Sequence, residues 1–167
     1  MHLDLVTIVV DDYDPAIEFF TGTLGFGLVE DSPATTGDGR AKRWVVVRPP
    51  GAATGILLAR ADGERQSAAV GEQTAGRVGF FLRVDDFDAA LARLRAAGVE
   101  FVRPPRSEPY GRVAVFLDIA GNCWGRSRST DQLRSRSRPA ESAEDRAHGW
   151  QGGPLAGPPG GEGANDG

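Results

Sequence analysis

Cysteine occurs once in the 167 residues, at Cys123, so no disulfide can form within the chain. Histidine occurs twice, at His2 and His148. Neither is placed to act as a base for Ser107, Thr7 or Cys123, which argues against a nucleophile activated by histidine. No apolar run reaches the length needed to cross a bilayer, so a membrane span is excluded from the expectations. The start, Met1-His2-Leu3-Asp4, lacks the basic stretch of a secretory signal, and a cytoplasmic location is expected. Lysine appears once, at Lys42, and every other cationic side chain is arginine; with the abundant Gly, Ala and Pro, this reads as GC-rich coding. The net charge of −4 argues against nucleic acid as a partner.

What is present is a phrase used twice. Val10-Asp11-Asp12-Tyr13-Asp14 recurs 74 residues later as Val84-Asp85-Asp86-Phe87-Asp88. Each copy follows an apolar run and precedes an amphipathic one, so each marks a strand handing over to a helix. The offset is too long for a stacked repeat array and implies two half-domain modules. The aspartates are read as helix caps at positive helix ends rather than as acid–base pairs.

Residues 3 to 10 are expected to form a strand apolar on both faces. Asp14 is the expected N-cap, with Pro15 at the first helical position. Ile17, Phe20 and Leu24 form one apolar stripe, and Gly25 ends the helix. Leu28 to Glu30 read as a short strand, and Asp31 to Arg40 as a surface loop. Lys42 to Arg48 and Gly55 to Arg60 read as strands, and 61 to 76 as a polar connector. The second half repeats the plan. Arg77 to Val84 is a strand, Asp88 to Ala97 a helix, Val99 to Val102 a strand stopped by Pro104-Pro105, and Arg112 to Asp118 a strand. Ile119 to Asn122 is a tight turn. Gly125-Arg126-Ser127 does not read as the continuation of a strand begun at Cys123-Trp124. Residues 127 to 167 are Arg/Ser-rich, then Gly/Pro-rich, and are expected to be a disordered tail. The Arg/Ser stretch lacks the interleaved aromatics of a nucleic-acid binder. The expected organisation is α+β: module one over 1–60, the connector over 61–76, module two over 77–126, then the tail over 127–167.

Tandem β-α-β-β-β modules carrying these stretches (Val10 to Phe20, Leu24-Gly25-Phe26, Val84 to Leu94, Ala97-Gly98-Val99 and Asp118 to Asn122) resemble the vicinal oxygen chelate superfamily. That group includes glyoxalase I, extradiol dioxygenases, fosfomycin resistance enzymes and bleomycin-binding resistance proteins. The resemblance covers about residues 3 to 124. It implies curved mixed sheets closing a cup, with a divalent metal in the enzymes, held by a residue on the first strand and one on the last strand of each module. Here the first-strand positions fall on Leu5 and Gly79. The last-strand position of module two falls on Gly125, and the last strand of module one holds no carboxylate. The side chains present do not supply the ligands that the metal requires, so no cofactor is expected.

If Leu5 marks the inward face, Thr7 and Val9 share it, as do Gly79, Phe81 and Arg83. The candidate ligand-binding residues are Thr7, Trp44, Gln73, Phe81, Arg83 and Tyr110. Arg83 stands either in the cup or at its rim beside an aspartate. Trp44 stands either in the cup or in the core, and Tyr110 either lids the cup or covers a sheet edge. The favoured expectation is a metal-free protein binding a small organic molecule, similar to the bleomycin-binding resistance proteins, with a homodimer implied by that resemblance. One alternative is a glyoxalase- or dioxygenase-type enzyme with relocated ligands drawn from Gln73, Glu30 or Glu100. A second is a family member whose coding frame is disrupted after Asn122, with the last strand lost.

Overall fold

The computed structural model describes residues 1–109 and 111–128. Module one runs β1 (Leu5–Val10), α1 (Tyr13–Glu18), β2 (Gly27–Thr35), β3 (Ala41–Arg48) and β4 (Gly55–Arg60). The connector carries a short helix, α2 (Glu64–Ser67). Module two runs β5 (Val78–Val84), α3 (Phe87–Ala96), β6 (Phe101–Glu108), β7 (Gly111–Leu117) and β8 (Cys123–Arg128). The sheets are ordered β1-β4-β3-β2 and β5-β8-β7-β6. In each, the first strand pairs parallel with the last and the other pairs are antiparallel. The expected tandem modules and mixed sheets are therefore present.

The repeated phrase caps both helices, one residue pair earlier than expected. Asp12, not Asp14, is the N-cap of α1. Its backbone is extended and its carboxylate accepts the Tyr13 N–H at 2.7 Å. Asp86, not Asp88, does the same for α3, accepting from Ala89 N at 2.9 Å. Pro15 then sits within the first turn, where its missing N–H has no intrahelical partner to lose. After Glu18 the helix widens into a π-helical turn over Phe19–Thr23. Leu24 N–H reaches back to Phe19 O, and Thr21 Oγ1 donates to Ile17 O. The stripe expected from the sequence survives this change: Phe20 and Leu24 are buried, with Ile17 packed against them.

Three expected boundaries are overturned, each by sheet pairing. The strand expected over Leu28 to Glu30 extends to Thr35, so only the end of the expected loop is a turn. Pro104-Pro105 does not stop β6, and Pro33 does not stop β2. Both strands are sheet edges, where a missing ladder donor is tolerated and where proline discourages pairing with another chain. In β6 the register also skips from Arg103 to Arg106, past the prolines. The last strand is not lost. Residues Cys123–Arg128 pair with β5 on one side, and their Cys123–Ser127 stretch with β7 on the other. The expected tail lies, from residue 129 onward, outside the described residues.

One aromatic core joins the modules. Trp124 of β8 stacks on Phe80 at 4.6 Å between ring centroids and meets Phe20 of module one edge-on at 5.8 Å. Ile8, Val10, Val45, Val47 and Leu58 complete the core under α1, with Leu94 and Phe116 from module two. Trp124 Nε1 donates to Asp118 at 2.8 Å. The buried Asp118 carboxylate also accepts from Ala120 N, Asn122 N and Asn122 Nδ2. The Asp-x-x-Gly-Asn stretch thus ties the β7–β8 turn to the core tryptophan.

Candidate functional site

Alternation along the strands sends one face of each sheet under the helices and turns the other, here called the open face, away from them. In module one the core face holds Ile8, Val10, Val45, Val47, Ile56 and Leu58. The register therefore sets three rows on the open face. Leu5 lies beside Gly55, with Arg48 against it. Thr7, Leu57, Val46 and Glu30 form the second row. Val9 and Ala59 form the third, with Trp44 and Ser32 on the same face of the neighbouring pair. In module two Val78, Phe80, Leu82 and Val84 are half-buried, whereas Gly79, Phe81 and Arg83 are exposed. Phe81 lies beside Gly125. The alternation expected from Leu5 holds along β1; in β5 it holds from Phe80 to Val84, but the register shifts between Val78 and Phe80, and Val78 stands beside Gly125 on the open-face side.

The pairing also locates the fourth family position, which the sequence left unnumbered. Phe81 pairs with Gly125 on the last strand of module two. Its counterpart, Thr7, pairs with Leu57 on the last strand of module one. If the two modules correspond residue for residue, the fourth place falls on Leu57, beside those the resemblance puts on Leu5, Gly79 and Gly125. Two are aliphatic, and the space at the two glycines is taken. A Cβ at Gly79 would stand 2.3 Å from Thr74 Cγ2, and Thr74 is held by its Oγ1 bond to Arg77 O at 2.6 Å. A Cβ at Gly125 would meet Phe81 Cδ1 at 3.0 Å and Val78 Cγ1 at 3.1 Å. A side chain long enough to ligate fits neither place without displacing a neighbour. Among the described residues, no three His, Cys, Asp or Glu side chains converge as a metal would require. The residues present do not fit the family's metal.

The candidate binding residues separate on inspection. Thr7 and Phe81 stand on the open faces, Phe81 at 80% exposure. Trp44 is half-buried on the open face of β3. Beyond Val45 and Leu58, strands β3 and β4 no longer pair, and a cavity of about 360 Å³ opens there between Trp44, Leu57 and Ala59 on one side and Tyr13 and Arg43 on the other. Arg43 lies 5.2 Å from the Tyr13 ring and pairs with Asp31 and Asp14. Its hydrogen bond holds the Asp31 carboxyl below the usual range. Lys42 and Arg60 border the same cavity.

Gln73 is committed elsewhere. Its Oε1 accepts the Val9 N–H at 2.7 Å and its Nε2 donates to Thr7 O at 3.2 Å, sealing the free edge of β1. Arg83 forms no ion pair with the neighbouring aspartates among the described residues, and it borders a cleft on the helix side together with Asp85 and Asp86. Tyr110 lies outside the described residues. The relocated ligands imagined for an enzyme do not gather: Glu30 bonds Ser32 on β2, Glu100 is exposed in the α3–β6 turn, and Gln73 is bound to β1. Sequence reasoning missed Leu57, Arg48 and Thr74, because only strand register and loop packing bring them to the site.

Residues 2–125 match the Glyoxalase/Bleomycin resistance protein/Dioxygenase superfamily. An uncharacterized protein of Shewanella frigidimarina is 47% identical over 120 residues, 71% of this chain and 87% of that protein. The crystal structure of UcmS2 is similar with a TM-score of 0.63 at 33% identity, covering 76% of this chain and 97% of its own. TnmS3, described as an antibiotic binding protein from Streptomyces sp. CB03234, gives a TM-score of 0.61 at 34% identity, covering 78% of this chain and 97% of its own. The chain therefore belongs to the glyoxalase/bleomycin resistance protein/dioxygenase superfamily.

Proposed function

We propose that the protein binds a small organic molecule on its open faces without a metal, as a binding protein rather than an enzyme. The observation that carries this reading is the filling of the family's ligand positions. Leu5 and Leu57 are aliphatic, Thr74 occupies the space at Gly79, and Phe81 covers Gly125. What replaces ligating groups is aromatic and aliphatic surface, Phe81, Trp44 and Leu57, with Thr7 as a polar group. An apolar concavity with a few polar groups suits a small molecule. The description of TnmS3 as an antibiotic binding protein supports the same reading and suggests an antibiotic as the class to try first. A homodimer belongs to the proposal. An aromatic ring left 80% exposed on a sheet face is surface that a second copy, with ligand between, would cover.

A thermal-shift screen of small aromatic and antibiotic molecules tests the reading. At least one should raise the unfolding temperature in a saturable way, and nickel, zinc, manganese and iron should not. A large metal-specific shift, lost on chelation, or stoichiometric metal in the purified protein would overturn it in favour of the enzyme. Sedimentation of the purified chain tests the dimer.

A further inference from the structure

Arg126 is the largest fully buried side chain in the described residues, at 1% exposure, and its Nε and Nη1 have no hydrogen-bond partner among those residues. It sits on the core face of β8 with its guanidinium 6.0 Å from the Phe116 ring. A buried guanidinium without a carboxylate is costly, and such charges are normally paired or serve a ligand. The charged neighbour that bears on it is of like sign. Arg93 of α3 reaches across to the Leu24–Phe26 corner of module one, its Nη1 3.1 Å from where a Cβ of Gly25 would stand. Burial, then the charge of Arg93, pulls the Arg126 guanidinium down to about 10. Both arginines line one cleft of about 480 Å³, bounded by the first turns of α3, by Leu24–Phe26 and by Pro49-Pro50. Arg83, Asp85 and Asp86 also border it; Asp86 is committed to capping α3, and neither aspartate forms an ion pair with these arginines among the described residues.

We propose that this cleft, on the helix side of module two and separate from the open faces, is an oxyanion site in which Arg126 from below and Arg93 from the rim hold a phosphate or carboxylate group of a small molecule. Two guanidiniums on one cleft, neither in an ion pair among the described residues, match the acceptor oxygens of such a group, which supplies the missing partners and neutralises the mutual repulsion. Inorganic phosphate is the probe, titrated into the full chain at constant ionic strength against chloride, with thermal unfolding as the readout. At about tenfold above its Kd, phosphate should raise the unfolding temperature by roughly 3 to 6 °C. Arg93→Met, an exposed change that leaves the fold intact, should lose most of that rise. Arg126→Leu should unfold at a higher temperature than the natural chain without phosphate, and should not respond to it. No rise beyond the chloride control would overturn the proposal, leaving Arg126 as a destabilising residue without a role. So would equal rises in all three proteins, since phosphate salts out any folded chain to some degree.

Discussion

Gly79→Ala is the smallest change that tests whether the connector closes a family ligand position. Gly79 does not have a positive φ, so alanine meets no backbone strain there. Restricting the unfolded chain should by itself stabilise by about 0.4–1 kcal/mol. Against that, the new Cβ would lie 2.3 Å from Thr74 Cγ2 and 3.2 Å from both Thr74 Cβ and Oγ1. Rotating Thr74 moves its methyl but not its Cβ, and breaks its bond to Arg77 O. Overpacking of this kind costs about 1–3 kcal/mol. The clash therefore wins, and Gly79→Ala should destabilise by about 0.5–2 kcal/mol. In a Thr74→Gly background the clash is absent and the sign reverses, so the same alanine should stabilise. Urea unfolding of the two single variants and the double variant gives the coupling, expected at about 1–3 kcal/mol. Additive effects would show that Thr74 does not fill the place, and would reopen Gly79 to a ligating side chain.

Asp118→Ala should cost about 3–5 kcal/mol, because it leaves buried donors of Asn122 and Trp124 without an acceptor; denaturant unfolding followed by tryptophan fluorescence measures it. Phe81→Ala should shift stability by less than about 0.5 kcal/mol, since the ring is exposed, yet should weaken any ligand found in the screen by about tenfold or more in titration. Asp31, Asp38 and Asp62 are all held below the ordinary carboxyl value of 3.8, chiefly by hydrogen bonds from Arg43, Thr36 and Arg40 respectively. Because the folded values are depressed, their stabilisation is complete above the unfolded value and is lost as pH falls through the folded ones. Melting temperature against pH should therefore drop in acid, and Asp31→Asn should shallow that drop.

The repeated Val-Asp-Asp phrase was enough to show two modules, because a capping aspartate between an apolar run and an amphipathic run is a local chemical signal. It also served as a ruler to Leu5 and Gly79, since strand parity is a local property. The residues lacking such a signal were misread or unplaced. Pro33 and Pro104-Pro105 read as breakers because nothing local says that a strand is a sheet edge. Gln73 read as a candidate binding residue with no stated place; the structure sets its amide along the edge of β1, from a loop 64 residues away in sequence. Gly125-Arg126-Ser127 read as the end of order, yet the ladders to β5 and β7 carry a strand through it.

Local sequence thus determined the two modules, the helices and the strands that lead into them, because periodicity and caps act over a few residues. Tertiary structure alone decided that Leu57 lies beside Thr7, that Thr74 packs at Gly79 and Phe81 at Gly125, and that Arg126 and Arg93 face one cleft. Each of these depends on which strands pair and how a connector folds back. Such contacts join residues far apart in the chain, and no spacing within it encodes their distance in space.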